Sequence, residues 1–149
     1  KNKLRINDIQ EVISEMTPLQ GAKDFLDGLK QKFQVVILSD TFYQFAAPLM
    51  NKLDYPTLFC HNLVIDDAGK INDFNLRMQD QKRAAVKAFK ALNFKVLSAG
   101  DSYNDISMLL ESDKGILFCP PQNVIDEYPQ FTVSDNYNEL NSAFDEFKE

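Results

Sequence analysis

The chain has no tryptophan, one histidine and only two cysteines among 149 residues. With His61 as the sole imidazole, a mechanism built on a histidine pair or a histidine-rich metal site is excluded. A lone histidine beside a strand pattern reads as structural. Cys60 and Cys119 are too few and too far apart for a disulfide framework, and read as reduced, mostly buried thiols of a cytoplasmic protein. No apolar run exceeds about six residues, far short of the roughly 20 that cross a bilayer. Positive charge is also scarce. Sixteen Lys and Arg against 22 Asp and Glu leave a net charge of −6, which argues against nucleic acid or a membrane surface as partner.

What is present is ordinary for a globular domain: 44% hydrophobic and 26% charged residues, enough for one core. Ile9, Val12, Ile13 and Met16 recur at helical spacing, predicting a helix from Asn7 to Met16. Thr17-Pro18-Leu19-Gln20 has the pattern of a capping box, predicting a second helix with Leu19, Ala22, Phe25, Leu26 and Leu29 on its apolar face. Gln34 to Ser39 is an apolar, β-branched run of the kind buried in parallel sheets. A helix carrying Phe42, Phe45, Ala46, Leu49 and Leu53 follows, which Pro48 should kink or divide. Thr57–Cys60 reads as a strand. Asn62–Asp66 and Ile71–Phe74 read as a separate hairpin around Gly69. Asp80 should cap the next helix, and a strand ending at Ala99, a helix through Leu110, a strand at Gly115–Phe118, a short helix at Val124–Tyr128 and a last helix with Leu140, Phe144 and Phe147 complete the chain. Strand and helix alternate. The class is therefore α/β, with a Rossmann-like, mainly parallel sheet, flanking helices and a β-hairpin insertion.

Ligand sites in such sheets lie at the carboxyl ends of strands. Three polar groups are predicted to reach that edge: Ser39-Asp40-Thr41, Lys82 in the first turn of a helix, and Gly100-Asp101-Ser102-Tyr103-Asn104-Asp105. Asp101, Ser102 or Asn104 could serve merely as helix caps. Lys82 is harder to explain that way, because a helix N-terminus carries partial positive charge and disfavours a lysine. An anion between ammonium and helix end would remove the conflict. Hydroxyl, lysine and paired carboxylates together describe a Mg²⁺-phosphate site.

The order strand–Ser39, Lys82, Gly100-Asp101-x-x-x-Asp105 resembles motifs two, three and four of the haloacid dehalogenase superfamily. Val35 to Tyr43, Leu76 to Arg83 and Ala99 to Asp105 look most like the phosphoserine phosphatase group, and within it the bifunctional phosphoserine phosphatase/homoserine phosphotransferases. The resemblance implies that residues 1–16 are the remnant of a helical cap and 17–149 the core. It implies that Ser39 and the Asp40 backbone bind phosphate and substrate, Lys82 stabilises the transferring phosphoryl group and Asn104 contacts substrate. Asp101 would hold Mg²⁺ and Asp105 orient the metal's waters. The implied partner is a small phosphorylated amino acid, the reaction passes through an aspartyl-phosphate, and the setting is serine biosynthesis.

The family's first motif, a strand ending Asp-x-Asp that supplies the nucleophile, has no counterpart here. Asp27 falls inside an amphipathic helix, and Leu63-Val-Ile-Asp66-Asp67-Ala68 follows motif two and reads as a hairpin. The expectation is that the nucleophile lies in an N-terminal segment upstream of this chain, that the core lacks its first strand and exposes two strand edges, and that the chain by itself is inactive and poorly stable. The alternative is a non-catalytic phosphate- or metal-binding module. A phosphoacceptor receiver domain has its acids first and its lysine last, the opposite order. Arg5 and Arg77 could pair with a substrate carboxylate or be surface charges, and Tyr43, Phe45 and the Phe-rich C-terminal helix leave a homodimer open.

Overall fold

The structure, a computed structural model, describes residues 5–148 and divides into two compact units, Lys1–Gln79 and Asp80–Glu149. Of the segment assigned to a cap remnant, residues 1–4 lie outside the described residues.

The first unit runs α1 (Ile6–Glu15), α2 (Ala22–Lys30), β1 (Val36–Phe42), α3 (Tyr43–Lys52), β2 (Thr57–Ile65) and β3 (Ile71–Asn75). β1 pairs with β2 in parallel across the α3 crossover, and β2 pairs with β3 antiparallel. The predicted strand and separate hairpin are thus one strand. Its first half, from Thr57, pairs with β1 and its second half, from Asn62, pairs with β3, so no break is needed at His61. The hairpin turn is organised by Asp66, whose Oδ1 accepts the Ala68 and Lys70 amides at 3.0 and 2.9 Å. Gly69 adopts φ 78° there, a left-handed conformation that favours glycine.

Three local predictions change. α2 begins at Ala22, because Gly21 takes φ 82° at the N-cap and the Thr17–Gln20 box does not form; Leu19 is 73% exposed. α1 leaves Val12 and Met16 exposed, and turns Ile6, Ile9 and Ile13 inward. α3 is not divided by Pro48. Proline cannot donate to the carbonyl four residues earlier. That acceptor, the Gln44 carbonyl, instead takes a hydrogen bond from Gln10 Nε2 of α1 at 2.7 Å. Lys52, at the other end of α3, donates to the Ser14 and Met16 carbonyls where α1 ends.

The second unit runs α4 (Gln81–Ala91), β4 (Leu97–Gly100), a 3-10 turn (Tyr103–Asp105), α5 (Ile106–Glu111), β5 (Lys114–Phe118), α6 (Gln122–Glu127), β6 (Thr132–Ser134), α7 (Tyr137–Asp145) and a closing 3-10 turn (Glu146–Lys148). Its sheet is wholly parallel, in the order β4-β5-β6. β6 is an addition to the predicted elements. Its three residues carry too little pattern to read, yet Ser134 is buried by pairing with Phe118. Ile116, Leu117, Val124, Leu109 and Val86 are almost fully buried and form the centre of this unit. α5 can approach β5 because Gly115 has no side chain; a Cβ there would lie 2.6 Å from the Leu109 carbonyl oxygen. Asn136 caps α7 by accepting from the Asn138 and Glu139 amides.

Asp80 occupies the N-cap of α4 at φ 48° but does not cap it; its Oδ1 accepts the Ser107 hydroxyl of α5 at 2.7 Å. Cys60 is buried, and burial pushes its thiol up to about 11 despite the nearby Arg77 charge. Cys119 is exposed at φ 48°, contrary to the expectation of buried thiols, because it follows the end of β5 in the turn toward α6. Among the described residues, β1 pairs only with β2 and β4 only with β5, so each sheet has an edge at a strand that ends in predicted site residues. No described helix is long and apolar enough to cross a membrane.

Candidate active site

In the second unit, β4 ends at Gly100 and the chain turns sharply into the Tyr103–Asp105 turn and α5. The turn is tight enough to bring Asp105 back beneath Gly100. A Cβ on Gly100 would lie 2.4 Å from Asp105 Cβ and 2.7 Å from its Oδ2. This is why glycine precedes the first acid. Only with no side chain can the backbone approach the carboxylate that organises the loop.

Asp105 is buried, and each oxygen has a task. Oδ2 accepts the Asp101 amide at 3.1 Å, the Ser102 amide at 3.3 Å and the Ser102 hydroxyl at 3.3 Å. Oδ1 accepts Lys82 Nζ at 2.9 Å, and both partners' side chains are about nine-tenths covered, at 11% and 9% exposure. Burial alone would raise the Asp105 carboxyl. The Lys82 ammonium and the two backbone amides outweigh burial and hold it below its ordinary value.

Lys82, the second residue of α4, faces a carboxylate of the protein itself, which relieves the charge conflict at the helix N-terminus without a bound ligand. The anion present is Asp105 of the same unit. One of the three ammonium N–H groups is committed to it, which directs the head of Lys82 toward the end of β4. Asp101 and Asn104 sit in this same loop with exposed side chains. Lys82, Asp101, Asn104 and Asp105 are thus gathered within one unit.

Ser39 and Asp40 belong to the first unit, on β1. The strand extends to Phe42, beyond the predicted end, but its ladder is irregular at the predicted residues. Leu38 pairs with Phe59 and Phe42 with His61, so Ser39, Asp40 and Thr41 stand opposite Cys60 alone. Such bulges re-aim side chains next to sites. Ser39 Oγ accepts the Thr41 amide at 3.3 Å, and Asp40 Oδ1 lies 3.9 Å from His61 Nε2. Sequence reasoning treated His61 as a generic structural residue and missed this contact, because it depends on the irregular register.

The other acids considered are employed elsewhere. Asp27 pairs with Lys23 at 2.7 Å and Lys30 at 3.3 Å on the surface of α2. Asp66 holds the hairpin turn. Arg77 stacks its guanidinium 4.3 Å above the Phe59 ring, and Arg5 is exposed at the start of α1.

Among the described residues, no three His, Cys, Asp or Glu side chains enclose a cation. One exposed carboxylate, Asp101, beside a lysine and a hydroxyl-rich loop suits Mg²⁺, a hard ion that keeps most of its waters and shares phosphate oxygens.

A sequence profile of the haloacid dehalogenase-like hydrolases matches residues 2–113. The chain is 53% identical over 141 residues to phosphoserine phosphatase ThrH of Pseudomonas aeruginosa, covering 95% of this chain and 69% of that protein. It is 52% identical to a phosphoserine phosphatase of Pseudomonas syringae pv. tomato, covering 95% of this chain and 60% of that protein. The chain therefore spans only about two thirds of the length of these relatives. Among solved structures, a substrate-bound phosphoserine phosphatase complex superposes with a TM-score of 0.76 at 22% identity, covering 97% of this chain and 70% of that one. At that identity the likeness establishes the fold, a Rossmann-like α/β arrangement of parallel strands flanked by helices.

Proposed function

Because the chain belongs to the haloacid dehalogenase-like hydrolases, we propose that it is the larger part of a Mg²⁺-dependent phosphomonoesterase acting on phosphoserine. The observation that carries the reading is the buried Lys82–Asp105 pair beneath Gly100, with the Asp101 carboxylate exposed beside it.

In this reading the Ser39 hydroxyl and the Asp40 amide donate to phosphoryl oxygens. Lys82 offsets their charge, aimed by Asp105, and Asn104 contacts the substrate. Asp101 would hold Mg²⁺, which when bound supplies further neutralisation of the phosphoryl group. Asp105 fixes the loop that presents Asp101, and in this reading its Oδ1, which accepts Lys82 alone among the contacts above, would orient water near the ion. No Asp-x-Asp occurs anywhere in the sequence. We therefore place the in-line nucleophile, and the aspartyl-phosphate it forms, on a segment outside this sequence, supplied by the same gene product. Transfer from that phosphoaspartate to homoserine in place of water is the finer version, and the cytoplasm the proposed setting.

The missing Asp-x-Asp also favours a second reading, a module that binds phosphate or metal without turnover. One experiment separates the two. The full gene product should release phosphate from phosphoserine with Mg²⁺, lose activity in EDTA and lose at least about 100-fold in kcat on Lys82→Ala. Homoserine added to the assay should yield phosphohomoserine. Phosphate binding without phosphoserine turnover would overturn the enzymatic reading and leave the module.

A further inference from the structure

The loop that carries Asp101 and Asn104 is held from two sides, and the two holds reach different residues. On the inner side, Asp105 Oδ2 accepts the Asp101 amide, the Ser102 amide and the Ser102 hydroxyl. Those bonds reach Asp101 and Ser102. Tyr103 and Asn104 come next, in the 3-10 turn that the Asp105 amide closes by donating to the Ser102 carbonyl at 2.9 Å.

On the outer side the hold is a phenol. Tyr103 Oη donates to Glu127 Oε2 at 2.8 Å and accepts Asn123 Nδ2 at 3.3 Å. Both partners belong to α6 and, at i and i+4, lie on one face of it. That helix is anchored beneath by Val124, which is fully buried. The Tyr103 ring also meets the Tyr128 ring edge-on, with centroids 6.2 Å apart, and Tyr128 in turn lies 6.3 Å from the Phe131 ring.

Core packing does not account for this arrangement. Tyr103 is 46% exposed, and the Asn123 and Glu127 side chains are exposed as well. A phenol at the surface can satisfy itself with water. Here it donates to one residue and accepts from another on the same neighbouring helix, which fixes its direction as well as its distance. The residue fixed in this way is the one directly before Asn104. We propose that Tyr103 is a positioning residue: its hydroxyl braces the Tyr103-Asn104 half of the loop against α6 and so holds Asn104 for the substrate, while Asp105 holds the Asp101 half. The inference rests on the substrate contact given to Asn104 above.

Two separate holds predict a split that general loosening of the loop would not give. In the full gene product, Tyr103→Phe keeps the ring and removes the hydroxyl. It should raise the phosphoserine KM about three- to tenfold, with kcat and the half-saturating Mg²⁺ concentration each within about twofold of native. Tm should fall by no more than about 3 °C. Glu127→Ala should raise KM as Tyr103→Phe does, and the two together should raise it no further than either alone. Glu127→Gln removes the charge but keeps an acceptor for the phenol, so KM should stay within about twofold of native. Hydrogen exchange gives a reading without turnover. Exchange of the Asp105 amide, which closes the turn over Tyr103 and Asn104, should quicken about three- to tenfold in Tyr103→Phe, with the Leu117 amide of β5 unchanged. An unmoved KM, a Mg²⁺ requirement that rises along with KM, or a Glu127→Gln variant that behaves like Glu127→Ala would each overturn the proposal. If the native gene product does not turn over phosphoserine, the phosphatase reading fails and exchange decides alone: quickening at Asp105 supports the brace, and unchanged exchange refutes it.

Discussion

The two units use the same secondary structure to different effect. Each has a parallel β-α-β crossover and an edge strand whose carboxyl end carries predicted site residues. The second unit holds eleven of the fifteen buried apolar residues among those described, including Leu109, Ile116 and Leu117; the first holds Ile6, Leu29, Leu53 and Cys60. Their loops differ accordingly. At the end of β4 a glycine admits a buried carboxylate, which takes a lysine and two amides. At the end of β1 the ladder is irregular, and the contacts of its residues include a hydroxyl–amide contact of 3.3 Å and an approach of Asp40 Oδ1 to His61 Nε2 at 3.9 Å. Burial strengthens electrostatic interactions, so the well-packed second unit can hold its charge pair rigidly.

The comparison can be tested at its strongest point first. Gly100→Ala places a methyl group within 2.4 Å of Asp105 Cβ, which has no room to yield. It should destabilise the second unit by about 4 kcal/mol, read from urea unfolding, and abolish phosphatase activity in the full gene product. A variant of near-native stability would mean that the loop is less rigid than its packing implies.

A smaller effect should appear in acid. Asp105 is held below its unfolded value, which is about 3.8, so it contributes stability above that pH and loses it as pH falls through the depressed value. Unfolding free energy of the protein should therefore decline below about pH 4. Asp105→Asn should be less stable at pH 7 and show a shallower acid decline. Parallel pH curves for the two proteins would remove the ion pair as the source of rigidity.

The smallest effect belongs to the first unit. Gln10→Ala leaves the Gln44 carbonyl without the donor that replaces the missing Pro48 N–H, and should cost about 1 kcal/mol, seen as a modest drop in Tm. A loss as large as that of Gly100→Ala would show the first unit to be as tightly coupled as the second.

Much of this architecture is legible in one dimension where a residue's role is local. The apolar run at Val36–Leu38, the helix after Asp80 and the glycine before Asp101 all announce themselves because periodicity and turn chemistry act over a few residues. Helix starts were less legible. A plausible capping box at Thr17 lost to Gly21, whose left-handed backbone sets where the ladder of α2 begins. β6 was hidden for a similar reason, since three residues become a strand only by pairing with β5.

The site divides along the same line. Sequence alone determined that an acid pair sits four residues apart after a glycine, and that a lysine stands in the first turn of a helix, because both are facts of spacing. Only the tertiary structure decided that Lys82 and Asp105 would be each other's partners, that Asp80 would bind Ser107 instead of capping its own helix, and that His61 would face Asp40. Those are contacts between 21 and 27 residues apart in the chain, set by strand register and helix packing, and no local pattern encodes them.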